Sequence, residues 1–207
     1  MRSIYKIVVC SLLTLSITSC EKDLLEKEQY QKEIYLIGAY NRVWTTEVSY
    51  SNEEVKTYFT VSSSGTLALD RDVNVKMKIN EELVDIYNKK YWTVLNEDKY
   101  YKSLDTDLYS IPSLENTVIK HAEGISAEVP VLIKTASLKI DQSYVIPVEI
   151  ESTTGYPISE SGYKMLILLK LKNDYSGSYQ MSGHTTLEGE TPKTIQKPKT
   201  IKPTGVN

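Results

Sequence analysis

Val73-Asn74-Val75-Lys76-Met77-Lys78-Ile79 puts an apolar side chain at every second position and a polar one between. Only an extended strand with one buried face gathers that period into a single apolar surface. The pattern recurs along the chain. Val55, Thr57, Phe59 and Val61 alternate with Lys56, Tyr58, Thr60 and Ser62. Val129, Val131 and Ile133 alternate next, with Pro130 pointing to an edge or a bulge. Tyr144, Ile146, Val148 and Ile150 follow, with Pro147 on the opposite face. Tyr163, Met165, Ile167, Leu169 and Leu171 form the longest run. Leu166 and Leu168 fill its other face, so this strand is expected to be central and covered on both sides.

One segment departs from the strand habit. From Asn80 to Tyr91, Leu83, Tyr87 and Tyr91 share one face of a helix, with Asn80 placed to cap it. Glu81 and Glu82 lie at its positive end, Lys89 and Lys90 at its negative end. The helix is expected to close one end of the fold. Short strands separated by Ser63-Ser64-Gly65 and Asp70-Arg71-Asp72 turns, with one short helix, predict an all-β antiparallel sandwich.

The N-terminus carries a different signal. Arg2 and Lys6 precede Ile7–Ile17, an apolar run of eleven broken only by Ser, Thr and Cys10. That is the layout of a secretory signal peptide, and it is too short to span a bilayer, which takes about 20 apolar residues. Ile17-Thr18-Ser19-Cys20 is similar to a bacterial lipobox. The resemblance implies a signal peptide over 1–19 and lipid attachment at Cys20, with residues 20–33 as a tether. Several acyl chains on one cysteine would hold stably, since each buried methylene contributes about 0.8 kcal/mol. Glu21-Lys22-Asp23 resembles the export signal of Bacteroidetes surface lipoproteins and fits a solvated tether equally well.

Removing Arg2 and Lys6 leaves 22 basic residues against 27 acidic ones, a net charge of −5. No basic face for nucleic acid is indicated. With Cys20 lipidated and Cys10 in the leader, no disulfide and no cysteine-based metal site are expected.

The search for chemistry returns little. The Ser161-Gly162-Tyr163-Lys164 run matches Ser-x-x-Lys by letter, but the Ser-Asp-Asn and Lys-Thr-Gly partners are absent. Asp105-Thr106-Asp107 is the nearest acidic cluster to a glycosidase motif, without the later carboxylate. His121 and His184 lack ligand spacing, and Asp70-Arg71-Asp72 and Asn96-Glu97-Asp98 read as turns rather than calcium loops. No catalytic residue, metal site or cofactor is expected. The chain has 16 Tyr against one Phe, and six aromatic residues from Tyr87 to Tyr109 lie within 23 residues. Flat rings stack on the C–H faces of sugars. Trp44, Tyr91, Trp92, Tyr100 and Tyr101 are therefore the candidate carbohydrate-binding residues, with Asn88, Asn96 and Lys99 as polar neighbours. The alternative is that Tyr87 and Tyr91 pack the helix and Trp92 fills the sandwich end.

The order of the pieces carries a resemblance. Val73–Ile79 runs into a helix ending in Tyr87-Asn88. Tyr109, Ile111 and Pro112, then Thr117-Val118-Ile119 with Gly124, lead to Val129–Ile133 and Tyr144-Val145-Ile146-Pro147-Val148. This resembles the Ig-like domain of unknown function of Bacteroidetes surface lipoproteins. That domain type is found N-terminal to some family 18 endo-β-N-acetylglucosaminidases and in polysaccharide-utilisation lipoproteins. The resemblance implies an Ig-like domain over residues 34–173. Residues 174–207 are then expected as the truncated start of a second domain with a flexible, Pro- and Lys-rich tail, in which Pro192-Lys193-Thr194-Ile195 recurs as Pro198-Lys199-Thr200-Ile201. By resemblance the protein is a non-catalytic outer-membrane lipoprotein at the cell surface, accessory to glycan capture. Its partners would be the membrane, a glycan and other surface proteins. The alternatives are a structural or adhesion module contacting proteins, and the front part of a longer lipoprotein or glycosidase.

Overall fold

In the computed structural model, residues 27–186, 188–189 and 191–203 are described. The leader, Cys20 and Glu21-Lys22-Asp23 lie outside the described residues.

The first sheet holds β1 (Ile34–Leu36), β3 (Glu54–Ser63), β8 (Ser126–Lys134) and β6 (Tyr109–Ser110), in the order β1-β3-β8-β6. The second has the order β2-β10-β9-β4-β7. Its members are β2 (Val43–Ser49), β10 (Lys164–Lys172), β9 (Tyr144–Thr153), β4 (Val73–Ile79) and β7 (Thr117–Ile119). The short β5 (Lys102–Ser103) adds to β9. Most pairings are antiparallel, as the alternation predicts. Two are parallel, β2 with β10 and β5 with β9. A parallel pair needs a long crossover, and here the whole sandwich separates β2 from β10.

One apolar cluster joins the two sheets. Leu36, Phe59, Val61, Val129 and Ile133 come from the first sheet, and Val75, Met77, Ile146, Met165 and Ile167 from the second; all are at most 2% exposed. Burying a side chain of this size contributes about 1.5–3 kcal/mol relative to exposure. Across the gap Thr46 and Thr57 hydroxyls meet at 2.7 Å, which satisfies both in an apolar setting. Pro130 sits opposite Tyr58, while β6 reaches only Leu132 and Ile133, so β8 is an edge beside its proline.

The helix, α1 (Glu82–Tyr91), does not close an end of the sandwich as expected. It lies on the outer face of the second sheet. Leu83 and Val84 pack there against Val145 and Leu166, with Leu168 beside them. The second apolar face of β10, legible in Leu166 and Leu168, is the reason: it needs a cover, and α1 supplies it. Asn80 Oδ1 accepts the Glu82 amide at 3.2 Å, and the helix stops where Trp92 turns extended.

Residues 193–201 correct the expectation of a flexible tail. Lys193–Ile201 is a strand, β12, paired antiparallel along its whole length with β11 (Gly177–Thr185). The repeat spacing of six is even, so both Lys-Thr-Ile copies present the same residues to the same face.

Candidate functional site

Between α1 and β10 runs a shallow cleft, open to solvent, with a cavity volume of about 40 Å³. Leu83, Tyr87 and Leu166 form its floor, and Ile86 and Tyr91 its helix-side rim. The helix spacing dictates this, since Leu83, Ile86, Tyr87 and Lys90 fall on one side at i, i+3, i+4 and i+7. Three rings follow one another. Tyr101 lies parallel to Tyr87, centroids 5.2 Å apart and tilted by 10°, and Tyr91 meets Tyr87 at 4.5 Å with a tilt of 34°. Such contacts contribute about 0.5–1.5 kcal/mol each beyond their burial. Tyr91 ends the stack and is 49% exposed. Burial among these rings pushes the Tyr87 hydroxyl up to about 12, so it remains a proton donor at neutral pH.

Three cations line the same cleft: Arg42, Lys90 and Lys164. The Lys90 ammonium lies 5.4 Å from the Tyr91 ring centre. Arg42 is the only non-glycine with positive φ among the described residues, at 62°. That conformation costs about 1–2 kcal/mol. Hydrogen bonds hold it there on both sides. Its amide donates to the Ala39 carbonyl, and its own carbonyl accepts the Leu166 amide, both at 2.8 Å.

The five predicted aromatic residues do not form one platform. Of the five only Tyr91 lines the cleft, and Tyr101 backs it through Tyr87. Trp44 lies on edge strand β2, 38% exposed, its indole pressed over Gly38 so closely that a Cβ there would come within 2.6 Å of Cε3. Trp92 is half-buried beyond the helix, its ring under the Lys99 ammonium at 5.5 Å. Its indole N–H is buried without a partner among the described residues. Tyr100 is half-buried and its carbonyl accepts from Gln142. Asn88, expected to face a sugar, is 4% exposed, and its amide group is fully engaged by the Tyr101 backbone, donating and accepting at 2.9 Å. Asn96 donates to the Thr93 hydroxyl. Arg42, Ile86 and Lys164 escaped the sequence reading. Arg42 and Lys164 flank short turns, and nothing local says that β10 brings them to α1.

The polar clusters elsewhere are spoken for. Arg71 and the Tyr156 hydroxyl hold Asp70 well below the usual carboxylate range. Asp72 accepts both the ring and the amide of His121, at 2.6 and 2.9 Å. Ser161 is exposed in the turn before β10. Among the described residues no three His, Cys, Asp or Glu side chains converge as metal ligands.

Two family models match the chain. One, described as an N-terminal domain, covers residues 30–157; the other, described as a C-terminal domain, covers residues 163–207. No curated protein matches the sequence. Among solved structures, a Bacteroides ovatus protein of unknown function is 20% identical with a TM-score of 0.61, over 83% of this chain and 57% of its own. An auxiliary nutrient binding protein from Bacteroides thetaiotaomicron is 16% identical with a TM-score of 0.55, over 80% and 56%. EndoBT-3987 from the same species, solved with a Man5GlcNAc product, is 21% identical with a TM-score of 0.50, over 70% and 33%. The chain thus spans less than two thirds of the length of these proteins. Since the first match takes in more than half of the chain, the protein belongs to the family of that N-terminal domain, whose fold these Bacteroides structures share.

Proposed function

We propose that this protein is a non-catalytic module of the bacterial surface that grips glycans in the α1–β10 cleft, anchored to the outer membrane through lipid on Cys20. The Tyr91 ring carries this reading: half exposed, flat, and packed against Tyr87, which is itself stacked on Tyr101. A preordered ring loses little freedom on meeting a sugar face. The nutrient-binding relative and the lipobox support the same assignment. A glycan array with the chain starting at Glu21 tests it. Tyr91→Ala is expected to weaken binding about tenfold, as the loss of one stacking partner does, while Trp92→Ala leaves it unchanged. Absence of any glycan binding at millimolar concentration, or equal binding by Tyr91→Ala, overturns the reading. Intact mass of the native product tests the anchor; an unacylated chain starting elsewhere than Cys20 removes it.

A second reading rests on one observation. Val94 and Leu95, in the turn after α1, are 76% and 94% exposed. Bare aliphatic side chains suit contact with a protein better than with a sugar. An adhesion role predicts a negative array and loss of protein binding in Leu95→Asp.

A further inference from the structure

Of the nine residues lining the α1–β10 cleft, three are cations and none is a carboxylate. This is unusual for a chain whose formal charge is −3. Elsewhere several lysines have carboxylate partners, while Lys56 and Lys99, like those of the cleft, lie over aromatic rings. Lys76 pairs with Glu151, Lys120 with Glu123, and Lys170 and Lys172 share Glu47. Arg42, Lys90 and Lys164 have no carboxylate partner among the described residues; Lys90 overlies the Tyr91 ring of the cleft, and Lys164 the ring of its neighbour Tyr163, outside the lining. The acidic residues on the neighbouring elements are turned to other work. Glu149 lies opposite Lys164 in the β9–β10 register, yet its carboxylate accepts from Asn80 and pairs with Lys78. Glu82 and Asp85 are exposed on α1 outside the cleft lining. The backbone of Arg42 is held in the left-handed region by two hydrogen bonds, and the residue, which carries a planar five-donor fork, lines the cleft.

We infer that the cleft selects an anionic sugar, a ring of the uronic acid class whose C–H face stacks on Tyr91 while its carboxylate is taken by Arg42 with Lys90 and Lys164 around it. This rests on the glycan reading above and narrows it. Guanidinium meets carboxylate through two parallel hydrogen bonds, which a neutral hydroxymethyl group cannot reproduce.

Calorimetry with the chain from Glu21 tests the inference, using an oligogalacturonate and the neutral galactose oligomer of equal length. The acidic oligomer is expected to bind about tenfold more tightly, the fold-change of one charge-assisted hydrogen bond. That advantage should vanish in about 1 M salt, where the screening length falls to about 3 Å. The triple variant Arg42→Gln, Lys90→Gln, Lys164→Gln should abolish the preference, bringing the acidic oligomer to the affinity of the neutral one. A control removing the same charge away from the cleft, Lys89→Gln, Lys99→Gln, Lys139→Gln, should keep the preference. Chemical-shift changes at the Ile86 methyls should locate the ligand. Equal or tighter binding of the neutral oligomer overturns the inference while the glycan reading stands. If neither oligomer binds, nor any glycan on the array, both fall together. A preference retained in the triple variant overturns it by placing the ligand elsewhere. Equal competition by a poly-glutamate peptide overturns it in favour of acidic protein segments.

Discussion

Strand β10 and the β11–β12 hairpin follow the same alternation and meet different fates. In β10, Met165, Ile167 and Leu169 are buried between the sheets while Leu166 is buried under α1. In the hairpin, Tyr179, Met181, Ile195 and Ile201 share one face, and Tyr179, Met181 and Ile201 are each 45% exposed or slightly more. Both regions satisfy their backbone groups. Only β10 has a second layer on each side. Hydrogen bonding exchanges water partners for protein partners at small net gain, whereas removal of apolar area from water does not come without a facing surface. A two-stranded hairpin by itself is marginal in water.

The largest effect should come from the sandwich interior. Phe59→Ala is expected to cost about 3–5 kcal/mol in a denaturant melt, while Tyr179→Ala in the hairpin stays within about 0.5 kcal/mol. Similar costs at the two positions would break the contrast. Next, Asn88→Ala should cost about 1–3 kcal/mol, because it strands the Tyr101 amide and carbonyl that the side chain bridges. Near-ultraviolet dichroism should show the three-tyrosine stack loosening at the same time. Gly38→Ala should cost about 1–3 kcal/mol and shift Trp44 fluorescence, since φ is +90° and the new Cβ meets the indole. Hydrogen exchange sharpens the contrast without mutation: amides of β9 and β10 should exchange only on global unfolding, those of β11 and β12 through local opening at far lower cost.

The smallest effect is electrostatic. Hydrogen bonds from Lys172 and then Lys170 lower the Glu47 carboxyl from 4.5 to about 2. A lowered folded value contributes stability that is complete above 4.5 and is lost as pH falls from there toward 2. Glu47 is exposed and screened, so Glu47→Gln should slightly flatten the acid side of the Tm-against-pH curve and leave the hairpin's exchange unchanged.

The long strands β3, β4, β8, β9 and β10 were legible because each carries its own apolar period, and α1 because its caps, charges and i, i+4 aromatics agree. The strands β1, β5, β6 and β7, of two or three residues, were not, since a run that short has no period and exists only through its partner. Strand β12 was misread for a related reason. Prolines and lysines at 192–202 argue against burial, and β12 is indeed little buried, yet β11 supplies the backbone partner that local propensity cannot announce. Tyr91 stood out in the aromatic cluster, whereas Asn88, chosen as a sugar ligand, is consumed in fastening Tyr101.

By itself the order of side chains determined an all-β fold with one amphipathic helix, a core drawn from alternate strand positions, and aromatic residues concentrated after β4. Tertiary structure alone decided that α1 covers β10 rather than an end, and that Arg42 and Lys164 join Lys90 beside a stacked tyrosine. The physical reason is range. Period and capping are local and act within a few residues, while a cleft is made of surfaces that meet only after β2 has paired with β10, more than 100 positions along the chain.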